Sequence, residues 1–229
     1  MTFQDQIVPG PQRDFIGYGR NKPRVEWPGK AAVAVNFCIA YEEGAERSRP
    51  SGDERGESLG GVYPIGDTHR DLAVETLFEY GSRAGIWRLA GLLDEHDIPA
   101  TLFAAAVALE RNPEVSAWVR ERQHDICCHG WRWSEPWLLD EEEERRRIAL
   151  AVESVARTTG RRPVGWRSRT GASVNTRRLL AEEGGFLYDS DSYNDDLPYF
   201  VEVNGKQHLV VPYSMTYNDA KFGVTPSYG

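Results

Sequence analysis

The stretch His124-Asp125-Ile126-Cys127-Cys128-His129-Gly130-Trp131-Arg132-Trp133 decides how the rest of the chain is read. A short apolar run ends in a histidine, a glycine and two tryptophans. Such a run, bounded by turn residues, is the pattern of a strand buried in a parallel sheet. An imidazole at the end of a buried strand, beside aromatic surface, suits a pocket. A hydrogen-bonded core histidine is the other reading, and this stretch alone leaves both open.

Working outward, Thr101-Leu102-Phe103-Ala104-Ala105 reads as a second strand. Asn112-Pro113 then starts a helix, with Asn as cap and Pro at the first helical position, running to about Arg122. Upstream, Ile86, Leu89, Ala90 and Leu93 recur at helical spacing from Ser82 onward, before Pro99. The nearly continuous apolar run Ala31 to Ala40 predicts a strand buried on both faces, stopping at Tyr41-Glu42-Glu43-Gly44. Residues 44–82 are rich in Gly, Ser, Pro and charge and read as a long loop, of the length that forms lids or binding loops. Residues 1–30 hold four prolines and four glycines, which exclude a regular helix or central strand. Phe15, Tyr18 and Trp27 give this arm something to bury against the domain or a neighbouring subunit.

Downstream, Asp140 to Thr159 is the clearest helix. Glu141, Glu142 and Glu143 stand four residues before Arg145, Arg146 and Arg147, acids lie at its start, and Gly160 follows its end. This charge run reads as a solvated face. Pro163 to Arg167 and Phe186 to Tyr188 predict short strands, separated by a helix over Asn175 to Glu183 with Asn175 as its cap. Val203-Asn204-Gly205-Lys206 joins two alternating strands in a hairpin. The alternation predicts an α/β fold with a parallel sheet, open or barrel-like, with about five parallel strands before the hairpin. A complete eight-stranded barrel takes about 250 residues. With an arm of 30 residues and a loop of about 40, these 229 residues are too few to close one alone, and they fit one domain over 1–229.

The net charge of -8 argues against nucleic acid as a partner. The three cysteines, Cys38, Cys127 and Cys128, do not make a disulfide framework. The first residues show neither a basic nor an apolar leader region, and no apolar run approaches the roughly 20 residues of a bilayer span. The expectation is a soluble, cytoplasmic protein that acts on a small molecule, without a membrane or nucleic-acid partner.

In open α/β sheets and barrels, chemistry sits beyond the carboxyl ends of the strands. Four polar clusters fall there: Glu42-Glu43, His129, Arg167-Ser168-Arg169 and Asp189-Ser190-Asp191. Each alone fits a loop charge or a salt bridge; four at one rim indicate a polar active site. Adjacent glutamates can have their pKa values pushed apart, so that one serves as general base on water. Arg167 can orient a carboxylate or grip a carbonyl through its rigid fork. His129 can protonate a leaving nitrogen or stabilise an oxyanion. Trp131 and Trp133 can wall a planar ligand, with Arg169 and Asp191 completing the binding set. No cofactor is expected. The five histidines include no H-x-x-x-H or H-E-x-x-H pair. His124 and His129 are an odd number apart and would face opposite sides of a strand.

Together these residues resemble the polysaccharide deacetylase (NodB-like, carbohydrate esterase 4) superfamily. Glu42-Glu43-Gly44 looks like the family's Asp-Asp-Gly motif, in which one acid is base and the other a metal ligand. The second motif carries two metal-binding histidines four apart; His129 matches the first, but Trp133 stands at the second. Arg167, within Trp166-Arg167-Ser168-Arg169-Thr170-Gly171, matches the arginine that orients the base. Tyr188-Asp189-Ser190-Asp191-Ser192-Tyr193 is similar to the Asp-rich fourth motif. With Tyr80-Gly81-Ser82-Arg83-Ala84-Gly85, these departures resemble the metal-independent allantoinase branch. The resemblance implies a deformed, incomplete (β/α) barrel of the NodB type, C-terminally short, and a homo-oligomer. It implies hydrolysis of the hydantoin ring of allantoin to allantoate, with Glu42 or Glu43 as base, Arg167 orienting and His129 as acid or oxyanion partner. The family continues past the hairpin to a late motif with a leucine and a histidine, whereas this chain stops at Gly229. Two further readings therefore stand: a deacetylase or another cyclic-imide hydrolase, and a truncated, inactive homologue serving as a binding or assembly subunit.

Overall fold

A computed structural model describes residues 8–57, 65–66 and 68–222. Five strands lie side by side in chain order: β1 (Phe37–Tyr41), β2 (Ala100–Ala104), β3 (Asp125–Cys128), β4 (Gly165–Trp166) and β5 (Tyr188–Asp189). The hairpin β6 (Tyr199–Val203) and β7 (Lys206–Val210) completes the sheet, in the order β1-β2-β3-β4-β5-β7-β6. β7 runs parallel to β5 and antiparallel to β6. The result is an α/β fold with a mostly parallel, unclosed sheet of seven strands. Asn204 and Gly205 both take positive φ, 51° and 74°, as a tight hairpin turn requires.

Helices α1 (Leu72–Tyr80), α2 (Ile86–Glu95), α3 (Ala106–Arg111), α4 (Pro113–Glu121), α5 (Glu141–Thr159) and α6 (Thr176–Glu183) connect the strands. Their apolar residues, Ile86, Ala90, Leu109, Val119, Ile148, Val155 and Leu179 among them, form one core with Leu102, Ala104, Ile126, Cys128 and Trp166 of the strands. Side chains alternate along a strand, so Phe103, Cys127 and Arg167 fall on the other face of the sheet.

The long helix keeps its expected ends and two of its three expected four-apart pairs; Arg146 pairs with Glu143, three residues back, rather than with Glu142. The Asp140 carboxylate caps α5 by accepting from the Glu143 N–H at 2.8 Å, and Gly160 ends it at φ 76°. Glu143 pairs with both Arg146 and Arg147, and Glu141 with Arg145. The Asn112 side chain caps α4 by accepting from the Val115 N–H.

Several expectations need correction. The first strand begins at Phe37 rather than Ala31 and is not buried on both faces: Val35 is 73 % exposed and Phe37 50 %. Composition announces a strand that could be buried, but burial depends on neighbours, and β1 is the edge of the sheet. The 44–82 segment is not all loop. A helix begins at Leu72, where the Asp71 carboxylate accepts from the Ala73 and Val74 N–H groups. It passes through a five-residue π turn, Gly81–Gly85, straight into α2. Two glycines in that turn hide the helix from a periodicity reading. α3 fills residues left unassigned between β2 and Asn112. The Asn175 side chain does not cap α6; Ser173 Oγ accepts from the Asn175 and Thr176 N–H groups instead. In the arm, the Tyr18 hydroxyl donates to Pro198 O at 2.7 Å, but Phe15 remains 73 % exposed instead of packing on the domain. No helix among the described residues is long and apolar enough to cross a membrane.

Candidate active site

The rim residues are held by the sheet itself. Just past the strands, Ala105 N–H donates to Tyr41 O, His129 N–H to Ala104 O, Arg167 N–H to Cys128 O and Ser190 N–H to Trp166 O, all within 3.0 Å. The ladder thus runs beyond each strand and fixes the main chain where the polar clusters begin. Gly130, at φ 92°, then turns the chain sharply; a Cβ there would meet Arg132 O at 2.9 Å. That turn brings Trp133 back beneath His129, with Trp133 N–H donating to Ala45 O.

His129 is buried and both its ring nitrogens are engaged. Nδ1 lies 2.6 Å from Arg167 O. A carbonyl only accepts, so Nδ1 carries the hydrogen. Nε2 lies 3.0 Å from Glu42 Oε1 and 3.3 Å from the Trp133 indole nitrogen. The indole N–H can only donate and needs the Nε2 lone pair, whereas a Glu42 carboxylate needs a hydrogen on Nε2. Nε2 therefore serves one of them at a time, accepting from the indole or donating to the Glu42 carboxylate, and Glu42 and His129 form a proton pair at the rim. This geometry can move a proton to or from a group at the rim.

Trp133 is fixed from its other side. The Arg169 guanidinium stacks 3.7 Å over its ring, donates to Trp133 O at 3.0 Å, and pairs with Glu57 at 2.8 Å. Arg169 and Trp133 are thus a buried brace for His129. Trp131 packs against the same core that Trp133 joins, and with His129, Trp166 and Arg169 it lines one cavity at the rim.

The Arg167 guanidinium donates to Ser190 O at 2.5 Å and to the Tyr193 hydroxyl at 2.8 Å, and lies 3.7 Å over the Tyr213 ring. Its link to the proton pair is its own carbonyl, which orients His129. Phe103, Tyr193 and Tyr213 surround it, with the Phe103 ring centroid 6.4 Å from that of His129. Phe103 and Tyr213 were missed by motif reading; alternation along the strand, which puts Phe103 on the Cys127 face, was the available signal.

Asp191 braces Ser168, accepting from its N–H at 2.7 Å and its hydroxyl at 2.8 Å. Burial, with repulsion from Asp189, pushes the Asp191 carboxyl up to about 6 against those hydrogen bonds. For Asp189 burial also acts upward, but hydrogen bonds from His208 (2.9 Å) and Arg177 (2.6 Å) outweigh it and hold the carboxyl at about 2. Glu43 points away from His129. Its Oε2 accepts from the Glu42 N–H at 3.0 Å and its carboxyl lies against Gly81. The structure thus brings Glu42, His129, Trp133, Arg167 and Arg169 together, with Trp131 beside His129 along one cavity; Glu43 turns to Gly81, and Asp191 reaches the rim through Ser168.

The metal implied by the family's motifs does not fit this donor set. The position of the second histidine carries an indole whose N–H is directed at His129 Nε2, the face where an ion would need a lone pair. Among the described residues no three His, Cys, Asp or Glu side chains converge to hold an ion.

Comparison with known proteins agrees with the fold. The polysaccharide deacetylase family model matches residues 66–188. A Schizosaccharomyces pombe protein named "Putative polysaccharide deacetylase" is 34 % identical over 94 % of this chain and 74 % of its own. The crystal structure of Puue allantoinase is similar at 45 % identity and a TM-score of 0.88, over 94 % of this chain and 73 % of that one. A structure of a probable polysaccharide deacetylase from Pseudomonas aeruginosa PAO1 gives 44 % identity, a TM-score of 0.88 and the same coverage. With a parallel unclosed sheet, a rim of paired acid, histidine and arginine, and these matches, the chain belongs to the polysaccharide deacetylase family and is a hydrolase of that family.

Proposed function

We propose that this hydrolase opens a cyclic amide, the hydantoin ring of allantoin, to give allantoate, and that it does so without a metal ion. The observation that carries the reading is the Trp133 indole N–H directed at His129 Nε2, on a chain 45 % identical to the structure of Puue allantoinase. In the reactive arrangement Glu42 is a carboxylate and His129 an imidazolium. A water oxygen attacks the ring carbonyl and Glu42 takes its proton. The carbonyl becomes a tetrahedral oxyanion near the positive charge of Arg167. As the ring C–N bond breaks, His129 gives its Nε2 proton to the leaving nitrogen, and Nε2 accepts the Trp133 N–H in its place. Water is consumed and a carboxylate and a free ureido N–H are formed. The new carboxyl group releases its proton to solvent, and the Glu42 proton returns to His129, restoring the pair. Arg169 keeps the indole in place throughout.

The test is allantoate production from racemic allantoin by the purified protein, with and without EDTA. Turnover unchanged by EDTA is expected. Release of acetate from N-acetylated sugar oligomers with no turnover of allantoin, or activity lost on chelation, would overturn the reading.

A further inference from the structure

We propose that Glu43 is a positioning residue: its carboxylate, seated where Gly81 has no side chain, holds the main chain of Glu42 so that the Glu42 carboxylate meets His129. The inference rests on the reading above, that Glu42 and His129 carry the chemistry, and gives its neighbour and the π turn distinct roles in that site.

Two adjacent glutamates leave the end of β1 in opposite directions. Glu42 reaches across the rim to His129 at 3.0 Å, and Glu43 turns towards the helices. Glu43 Oε2 accepts from the Glu42 N–H at 3.0 Å, so the acid that faces the helices restrains the backbone of the acid that faces the site. Room for it comes from Gly81. A methyl there would lie 2.7 Å from Glu43 Cδ and closer still to its oxygen, so it would push the Glu43 carboxyl out of its seat. Gly81 opens the π turn, a widened helical turn of the kind that recurs at functional sites.

The turn is tied to both sides of the site. The Tyr41 hydroxyl, one residue before Glu42, lies 2.9 Å from Ser82 Oγ, and Asn112 Nδ2 donates to Ser82 Oγ at 3.0 Å and to Ser82 O at 3.3 Å. Beyond Glu43 the chain is fixed as well. Gly44 N–H donates to Glu46, and Ala45 N–H donates to Glu42 O at 2.8 Å. Glu42 thus sits on a clamped segment, with the Glu43 carboxyl group wedged between it and the π turn.

The experiment compares kcat and KM for allantoin in E42Q, E43A, E43Q, G81A and the E43A/G81A double variant, with amide exchange at Glu42 followed by NMR. We expect E43A and G81A each to lower kcat about 10- to 100-fold with KM within about twofold, since displacing a reacting group by ~1 Å costs on that scale. E43Q, which keeps an oxygen acceptor, recovers most of what E43A loses, whereas E42Q does not. The double variant is no worse than the poorer single one, because both remove the same contact. An E43Q protein as inactive as E42Q would make Glu43 a chemical participant and overturn the proposal. So would wild-type kcat in G81A, or losses that multiply in the double variant. If G81A does not fold, E43A against E43Q decides. If no variant turns over allantoin, amide exchange separates the two ideas: faster Glu42 exchange in E43A but not in E43Q sustains the wedge even though the substrate reading has failed, and unchanged exchange overturns the wedge itself.

Discussion

On the helix side of β2 to β4, Leu102, Ala104, Ile126, Cys128 and Trp166 are buried together under the helices. One residue along the same strands and their ends, on the other side, stand Phe103, Cys127, His129 and Arg167, and there nearly every contact at the rim is a hydrogen bond or a cation over a ring. The two faces share one backbone and differ by a shift of one in sequence. The helix side is stabilised by filled volume, which tolerates exchange of one apolar group for another of similar size. The rim is stabilised by satisfied donors and acceptors, where removing one atom leaves a buried partner exposed to the full cost of desolvation. Because the rim side chains also carry the chemistry, damage on the helix side should appear in stability, and damage at the rim first in turnover.

The largest effect is expected at the rim. E42Q removes the base and should lower kcat at least ~10³-fold with little change in melting temperature, since general base catalysis contributes on that scale; a mutant with a tenth of the activity would break the division. Next comes L102A on the fully buried helix side, expected to cost about 2–5 kcal/mol in denaturant unfolding and to leave kcat near normal at low temperature. Its control is F37A on the half-exposed β1, expected to stay within ~0.5 kcal/mol.

W133F sharpens the contrast, because it keeps an aromatic ring and deletes the N–H directed at His129 Nε2. We expect kcat to fall about tenfold with only a small loss of stability; an equal loss in both would mean that the indole matters chiefly for packing. The smallest effect is a pH dependence. The folded-state pKa of Asp191 is raised from 3.8 to about 6, so the folded protein binds that proton more readily than the unfolded chain. Its contribution is most favourable at low pH and is lost as pH rises through about 6. Wild type should therefore gain on the order of 1 kcal/mol relative to D191N between pH 7 and pH 5. Asp189, held at about 2, acts in the opposite sense: its contribution is present above 3.8 and lost as pH falls towards 2. A D191N curve parallel to wild type across that window would show that Asp191 does not titrate there.

Much of the architecture was legible because it depends on local signals. Asn-Gly at 204–205, Asp140 and Gly160 around α5, and Asn112-Pro113 before α4 each specify a turn or cap through their own chemistry. The rim was legible because parallel topology collects strand ends at one edge, which brought Glu42, His129 and Arg167 together. What failed depends on neighbours. The run from Ala31 to Ala40 has the composition of a buried strand and lies at an edge. Residues 72–85 form helix despite two glycines, one of which, Gly81, leaves the space that the Glu43 carboxyl fills. Equally, nothing in the string Glu42-Glu43 shows which acid faces the histidine; that follows from where the ladder ends and the turn begins.

The ladder that continues past the strands has a consequence for how such a protein can change over generations. At His129, Arg167 and Ser190 the main chain is held by a neighbouring strand through N–H groups that every residue except proline possesses. Single-codon replacements at these positions can alter reactivity while the path of the chain stays put. The path of the main chain at the rim is accordingly insulated from the identity of its side chains, even where those side chains are tightly satisfied.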